Sequence, residues 1–268
     1  MSALGIVAGR GSLPRRIAER MREAGTPYQV VALDGFAGDW VSDHPHERLP
    51  ITAVGRLLAT LRAAGCDRIV LAGGVERPRI NPLTLDRHAL RWMMRIAPAL
   101  RRGDDGLLRT VRALLEGEGF ALVPVTEVMP DLTEPPGLLT RAGPTRAQER
   151  DIARGTALLR DLAPLDIGQG VVIAEAQVLA VETLPGTDAM LRFVGRERPG
   201  SGGVLVKRLK EAQDRHVDLP TIGPDTVEGA VAAGLSGIAI EAHGVLVLDR
   251  DAVIARADAA GLFVKVIR

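Results

Sequence analysis

A single cysteine, Cys66, occurs in 268 residues. No disulfide can form within the chain, and a reducing cytoplasm is the expected compartment. Cys66 follows Gly65 and precedes an apolar run, so it reads as a small packed residue rather than a nucleophile. Aromatic residues make up only 3%, too few to form stacking platforms for single-stranded nucleic acid. A net charge of +1 provides no global field for nucleic acid or membrane. The five histidines (His44, His46, His88, His216, His243) show no HExxH-like spacing, and zinc is not expected. The first residues, MSALGIVAGRG, lack the basic start and long apolar run of a signal peptide. Near the C-terminus the longest uncharged stretch, Gly229 to Ile240, has twelve residues, against the ~20 that a bilayer span requires. Of 34 basic side chains only three are lysines, Lys207, Lys210 and Lys265. Where arginine is the default, a lysine supplies a compact point charge.

What is present is globular: 46% hydrophobic and 25% charged residues, with length for one large or two ordinary domains. Leu4 to Ala8 is a short apolar run ended by Gly9-Arg10-Gly11-Ser12. A helical pattern follows, with Pro14 in its first turn, Ile17, Ala18 and Met21 on one face and Gly25 closing it. Tyr28 to Leu33 is a second apolar run, ending in Asp34-Gly35. This spells strand, glycine turn, helix, strand. The alternation continues through a helix with Leu57, Leu58 and Leu61, a strand from Ile69 to Ala72 ended by Gly73-Gly74, a helix over 104–116 and a strand over 120–123. Such a pattern predicts a Rossmann-like α/β domain over 1–130, with a parallel sheet between helices. Gly9, Gly11, Ser12, Gly73 and Gly74 are expected together at the carboxyl ends of its strands. Pro14 stands where the third glycine of a dinucleotide fingerprint belongs, so the turn reads equally as a tight βα connection or a phosphate cradle. The helix from Leu85 to Pro98 sets Arg87, Arg91 and Arg95 beside Leu90, Trp92, Met93 and Met94, either a solvated basic face or a surface for anionic lipid.

Residues 131–144, with Pro135, Pro136 and Pro144, read as a linker. Beyond it, 145–268 predicts a second α/β domain with a mixed sheet, including adjacent strands over 170–174 and 177–182. Thr187 and Asp188 begin one helical pattern, and Asp225 and Thr226 another. Asp225 with Glu228 also has the spacing of a capping box. Lys207 ends an apolar run, with Arg208 and Lys210 behind it as candidate surface charge, and Glu182 ends a strand. Two acidic, hydroxyl-bearing helix starts and a strand-end lysine in one domain suit metal-assisted phosphate chemistry.

A series of ordered motifs covers nearly the whole chain: LGIVAGRGSLP from Leu4, AGGVERP from Ala72, DDGLLRTV from Asp104, DIGQGVVI from Asp166, VLAVETLPGTDAM from Val178, GVLVK ending at Lys207, QDRHVDLPTIGPDT from Gln213, AGLSGIAIEA from Ala233 and the closing AAGLFV. In these the chain resembles the LpxI-type UDP-2,3-diacylglucosamine pyrophosphatases of lipid A biosynthesis. Arg10 in the first loop, and Gly74 where that pattern carries a lysine, depart from it. The resemblance implies a two-domain hydrolase that cleaves UDP-2,3-diacylglucosamine to UMP and 2,3-diacylglucosamine 1-phosphate. It further implies a divalent cation, Mg²⁺, held by Asp225 and Asp188, with Asp225, Asp188, Lys207 and Gln213 in catalysis. Gly9, Gly11, Ser12, Leu13, Gly73, Gly74, Thr187, Asp188, Lys207, Gln213, Thr221 and Thr226 would contact substrate, and Met190, Leu191 and Phe193 read equally as an acyl groove or, by periodicity, as a core face. It leaves room for peripheral contact with the cytoplasmic face of the inner membrane and for a homodimer; nucleic acid is not a partner. Two alternatives from other classes are a nicotinamide-dependent oxidoreductase, built on the glycine turn and Asp34, and a non-catalytic nucleotide-sugar or lipid binder.

Overall fold

The computed structural model describes residues 2–75, 85–99, 104–210 and 219–268. They divide into two compact units, with the boundary between Pro130 and Asp131. In the first, strands β1 (Ala3–Ala8), β2 (Tyr28–Leu33), β3 (His46–Leu49), β4 (Cys66–Ala72) and β5 (Ala121–Leu122) form a parallel sheet ordered β3-β2-β1-β4-β5. Helix α1 (Leu13–Glu23) connects β1 to β2 and buries Pro14, Ile17, Ala18 and Met21. Helices α2 (Val54–Ala63), α3 (Arg87–Ala99) and α4 (Asp104–Gly117) supply Leu58, Leu61, Trp92, Leu114 and Leu115 to a core that includes Val31, Leu49 and Ile69. A single-turn helix α5 (Val125–Val128) follows β5.

One strand carries too little apolar signal to read from the sequence. His46 begins strand β3: Val30 N–H donates to the Pro45 carbonyl and the register continues from Val30↔His46 to Leu33↔Leu49. Only Leu49 of β3 is buried, so its apolar signal is faint. Helix α3 runs through Pro98, its next-to-last residue, where the ring removes only one of the final helical hydrogen bonds. His44 is buried, with the Tyr28 hydroxyl 2.7 Å from its Nδ1.

The second unit centres on a six-stranded mixed sheet ordered β6-β13-β11-β9-β7-β8. Its strands are β6 (Gly137–Leu138), β7 (Gly170–Ala174), β8 (Gln177–Val181), β9 (Val204–Lys207), β11 (Gly237–Glu241) and β13 (Phe263–Ile267). Strands β9, β11 and β13 are parallel; β7 and β6 join as antiparallel neighbours of β9 and β13. A separate two-stranded sheet pairs β10 (Thr221–Ile222) with β12 (Leu246–Val247). Helix α6 (Arg146–Leu162), closed at its start by a Thr145/Gln148 capping box, covers one sheet face through Ile152 and Leu159, against Val171, Ile173, Val204 and Val206. Helices α7 (Gly186–Glu197), α8 (Pro224–Ala232) and α9 (Arg250–Ala260) cover the other through Leu191, Val194, Val227, Ala230, Val253 and Ala257. The segment 131–144 is part of this unit: Gly137–Leu138 pairs with Lys265–Val266, and the Thr140 hydroxyl accepts from Val264 N–H. Its prolines suit an edge strand, where one side of the ladder needs no donors.

Strand alternation sets up the chemistry. Val204 and Val206 point to α6, so Leu205 and Lys207 point to the α7–α8 side. Lys207 is the last residue of its strand, which leaves its long side chain to reach past the core toward the start of α7.

Candidate active site

In the first unit β1 lies between β2 and β4, which makes the carboxyl ends of β1 and β4 the switch point of the sheet. The two glycine loops do meet there. Gly9 N–H donates to Ala72 O at 2.8 Å, Arg10 N–H to Gly74 O at 2.9 Å and Gly74 N–H to Arg10 O at 3.1 Å. A Cβ on Gly9 would stand 2.6 Å from Gly74 O, and one on Gly73, whose φ is +87°, would run into Arg10 O. The glycines therefore let two backbones touch. The N–H groups of Gly9, Arg10 and Gly74 are engaged by that contact, whereas those of the first turn of α1 have no partner within the helix. Gly11, at φ +93°, leads into that turn, and Ser12 does not cap it with its side chain. Leu13 is the first helical residue. The Arg10 guanidinium stacks over the Phe36 ring, 5.2 Å from its centroid, just beyond β2 where the fingerprint reading places Asp34.

The second unit gathers its polar side chains at the carboxyl ends of β9 and β11. Lys207, 4% exposed, donates from Nζ to Thr187 Oγ1 at 2.8 Å and to the Thr221 carbonyl at 3.1 Å. The Glu182 carboxylate lies 4.0 Å from the same ammonium. Its Oε2 is buried with no hydrogen-bond partner. Gly170 faces Lys207 across the β7–β9 ladder, and a Cβ there would sit 2.6 Å from Glu182 Oε2. The glycine makes the space in which the carboxylate sits beside the lysine. Arg208 and Lys210, read as surface charge, are instead inside: Arg208 pairs with Glu241, whose other oxygen accepts Leu209 N–H at 2.9 Å, and Lys210 pairs with Asp166. Three cations in four residues are thus each matched to a carboxylate from a different element.

The helix starts bring the two leading acids to one groove. Asp188 lies in the first turn of α7 and Asp225 in the first turn of α8; both are exposed, and both line a groove of about 810 Å³ between these helices. The Asp225–Glu228 capping reading gives way here. Helix α8 starts at Pro224 with Gly223 as its N-cap, which puts Asp225 inside the turn; Gly223 N–H donates to Thr226 Oγ1 at 3.2 Å. Glu228 pairs with Arg256 rather than closing a box with Asp225. Thr187 accepts from Lys207 rather than capping α7, and Thr226, expected to contact substrate, is buried behind the turn. Of the acyl-groove candidates, Met190 and Leu191 pack in the core because they face the sheet, whereas Phe193, 46% exposed, lines the groove. Gln213 lies outside the described residues.

Glu182, Arg208, Glu241 and Asp166 were not singled out as site residues. A strand end and a run of basic residues carry no local signal of burial; only the long-range pairings bring partners to them.

A model of the LpxI N-terminal domain matches residues 3–132 and one of the LpxI C-terminal domain matches 135–265. The chain belongs to the LpxI family. The UDP-2,3-diacylglucosamine pyrophosphatase LpxI of Caulobacter vibrioides is 42% identical to it, over 98% of this chain and 97% of that protein. The two family domains meet close to the boundary between the two compact units. This LpxI-family chain therefore carries both a glycine-built switch point in its first domain and a buried lysine–carboxylate cluster in its second.

Proposed function

We propose that the chain hydrolyses the pyrophosphate bond of UDP-2,3-diacylglucosamine, giving UMP and 2,3-diacylglucosamine 1-phosphate in lipid A biosynthesis. The observation that carries this reading is the desolvated Lys207 ammonium at the carboxyl end of β9, oriented by the Thr187 hydroxyl and the Thr221 carbonyl, with the Glu182 carboxylate 4.0 Å away. The printed activity of the Caulobacter relative supports the substrate.

The donor set fits Mg²⁺ better than zinc. No group of three or more metal-ligating side chains gathers among the described residues. Mg²⁺ takes one or two carboxylates and keeps several waters, and Asp225 and Asp188 offer that supply on one groove. When bound, the cation would neutralise the diphosphate and orient it. Asp225 positions a water and takes its proton as the water oxygen bonds to one phosphorus; the bond from that phosphorus to the bridging oxygen breaks, and the bridge leaves on the other phosphate. Lys207 stabilises the charge growing on the phosphate oxygens. Gln213 would orient the water or the sugar phosphate; in the first unit, taken by itself, the α1 N-terminus at Gly11, Ser12 and Leu13 is a candidate phosphate contact.

No helix among the described residues is long and apolar enough to cross a membrane. With a two-tailed substrate, the chain works from the cytoplasmic side as a peripheral visitor to the inner membrane. The test is product analysis with UDP-2,3-diacylglucosamine and Mg²⁺, with and without EDTA, for the purified chain and for Asp225→Ala. Release of UMP and the sugar 1-phosphate, stopped by EDTA and reduced about a hundredfold or more in Asp225→Ala, is expected. Full turnover in EDTA would remove the cation, and near-normal turnover in a folded Asp225→Ala would remove Asp225 from the chemistry. Tight binding without any release would leave only a binding protein.

A further inference from the structure

We propose that helix α3 is the surface by which this chain docks on an anionic lipid bilayer. The docking rests on the lipid substrate class proposed above, and its site is read from the helix itself. Ala89 and Trp92 turn into the core of the first unit, which fixes the opposite face outward. On that outward face Leu90 is 59% exposed and Met94 70% exposed. They are four residues apart and so adjoin on one stripe. Arg87, Arg91 and Arg95 are also exposed and form the neighbouring stripe. Among the described residues no ion pair engages any of the three. The helix Arg87–Ala99 contains no acidic residue.

Charge complementarity chooses the occupant. A solvated helix in a chain of net charge +1 interleaves acids and bases and turns its large apolar groups inward; α3 has no acid, and it leaves Leu90 and Met94 outside while Trp92 packs in the core. A protein partner would have to bring carboxylates for three arginines in a row on a single helix. A bilayer with anionic headgroups supplies them without register, and its acyl boundary accepts Leu90 and Met94 while the arginine stems reach back to the phosphates. The helix is also held firmly enough to serve as a platform. The Asp86 carboxylate accepts Ala89 N–H at 2.7 Å, capping α3, and Gly55 N–H at 2.6 Å, capping α2, so one side chain ties both helix starts together.

Vesicle flotation tests this without substrate. The full chain is mixed with phosphatidylcholine vesicles, or with vesicles containing phosphatidylglycerol, at low and high salt. Leu90→Glu/Met94→Glu and Arg91→Gln/Arg95→Gln are run beside it, with thermal unfolding to show that these exposed substitutions leave the fold intact. Flotation with the anionic vesicles alone, reversed by salt, is expected. The arginine variant should lose about fivefold in partitioning per arginine, and the glutamate variant about tenfold or more. No preference for anionic vesicles, or variants that float like the parent, would overturn the proposal. Turnover of dispersed substrate is scored separately: hydrolysis with failed flotation overturns the docking surface alone, whereas flotation without hydrolysis upholds it and sinks the proposed activity.

Discussion

Lys207 and Glu182 form the pair whose disruption should be most informative. In Lys207→Met the side chain keeps its length and apolar stem but loses its charge. Glu182 then remains beside Gly170 as a carboxylate only 14% exposed, with a buried oxygen already lacking a hydrogen-bond donor. Removing one member of a buried pair costs about 3–5 kcal/mol. The 4.0 Å separation and the residual exposure of Glu182 place the expected loss at the lower end, about 3 kcal/mol. That corresponds to a fall in Tm of roughly 10 °C for a unit of this size. The double variant Lys207→Met/Glu182→Gln removes the stranded charge as well. It should be more stable than Lys207→Met by about 2 kcal/mol, a coupling within the range of contacting residues. Turnover should not return with stability: without the ammonium, kcat stays about a hundredfold or more below the parent. Circular dichroism melts and denaturant titrations of the four proteins complete the cycle. If the double variant is as unstable as the two single losses added together, the pair is not electrostatically coupled and the reasoning fails.

Three further outcomes can be checked on the same protein. Gly73→Ala should destabilise the first unit by about 1–3 kcal/mol, because its φ of +87° and its contact with Arg10 O both exclude a Cβ; Gly11→Ala, with open space around it, bears only the backbone cost. His44 is held below the ordinary histidine value of 6.5 by burial first and by Arg22 second. The unfolded chain thus protonates this site before the folded one does, and stability is full above about pH 6.5 and falls as pH drops toward the lower folded-state value; His44→Gln should flatten that part of a denaturation-versus-pH curve. Burial, aided by Asp67, pushes the Cys66 thiol up to about 11, so in the native protein it should resist alkylation at pH 8 and react only when denaturant opens the fold; rapid native labelling would contradict its packed role.

Much of the architecture could be read along the chain. Short apolar runs closed by glycine alternate with helical patterns in the first half, and this is a local signal. So is the adjacent pair 170–174 and 177–182, and so is the strand-end position of Lys207. The resemblance of the motifs to the LpxI family was legible as well, since it needs only their order. What residues do to one another across the fold was not. Only tertiary structure places Gly170 opposite Lys207 and so seats Glu182, joins Arg208 to Glu241 and Lys210 to Asp166, and ties the Thr187 hydroxyl to the ammonium instead of its own helix. The same holds for Gly9, Gly73 and Gly74: glycine spacing does not say that two backbones touch, and the bonds between Arg10 and Gly74 show that they do. Helix α3 shows the division most simply. Its arginines and methionines stand in the sequence, but whether Trp92 or Met94 faces water depends on which side of the helix the sheet occupies. Periodicity defines the faces of an element; the partner that covers each face is a long-range choice, made when the core closes.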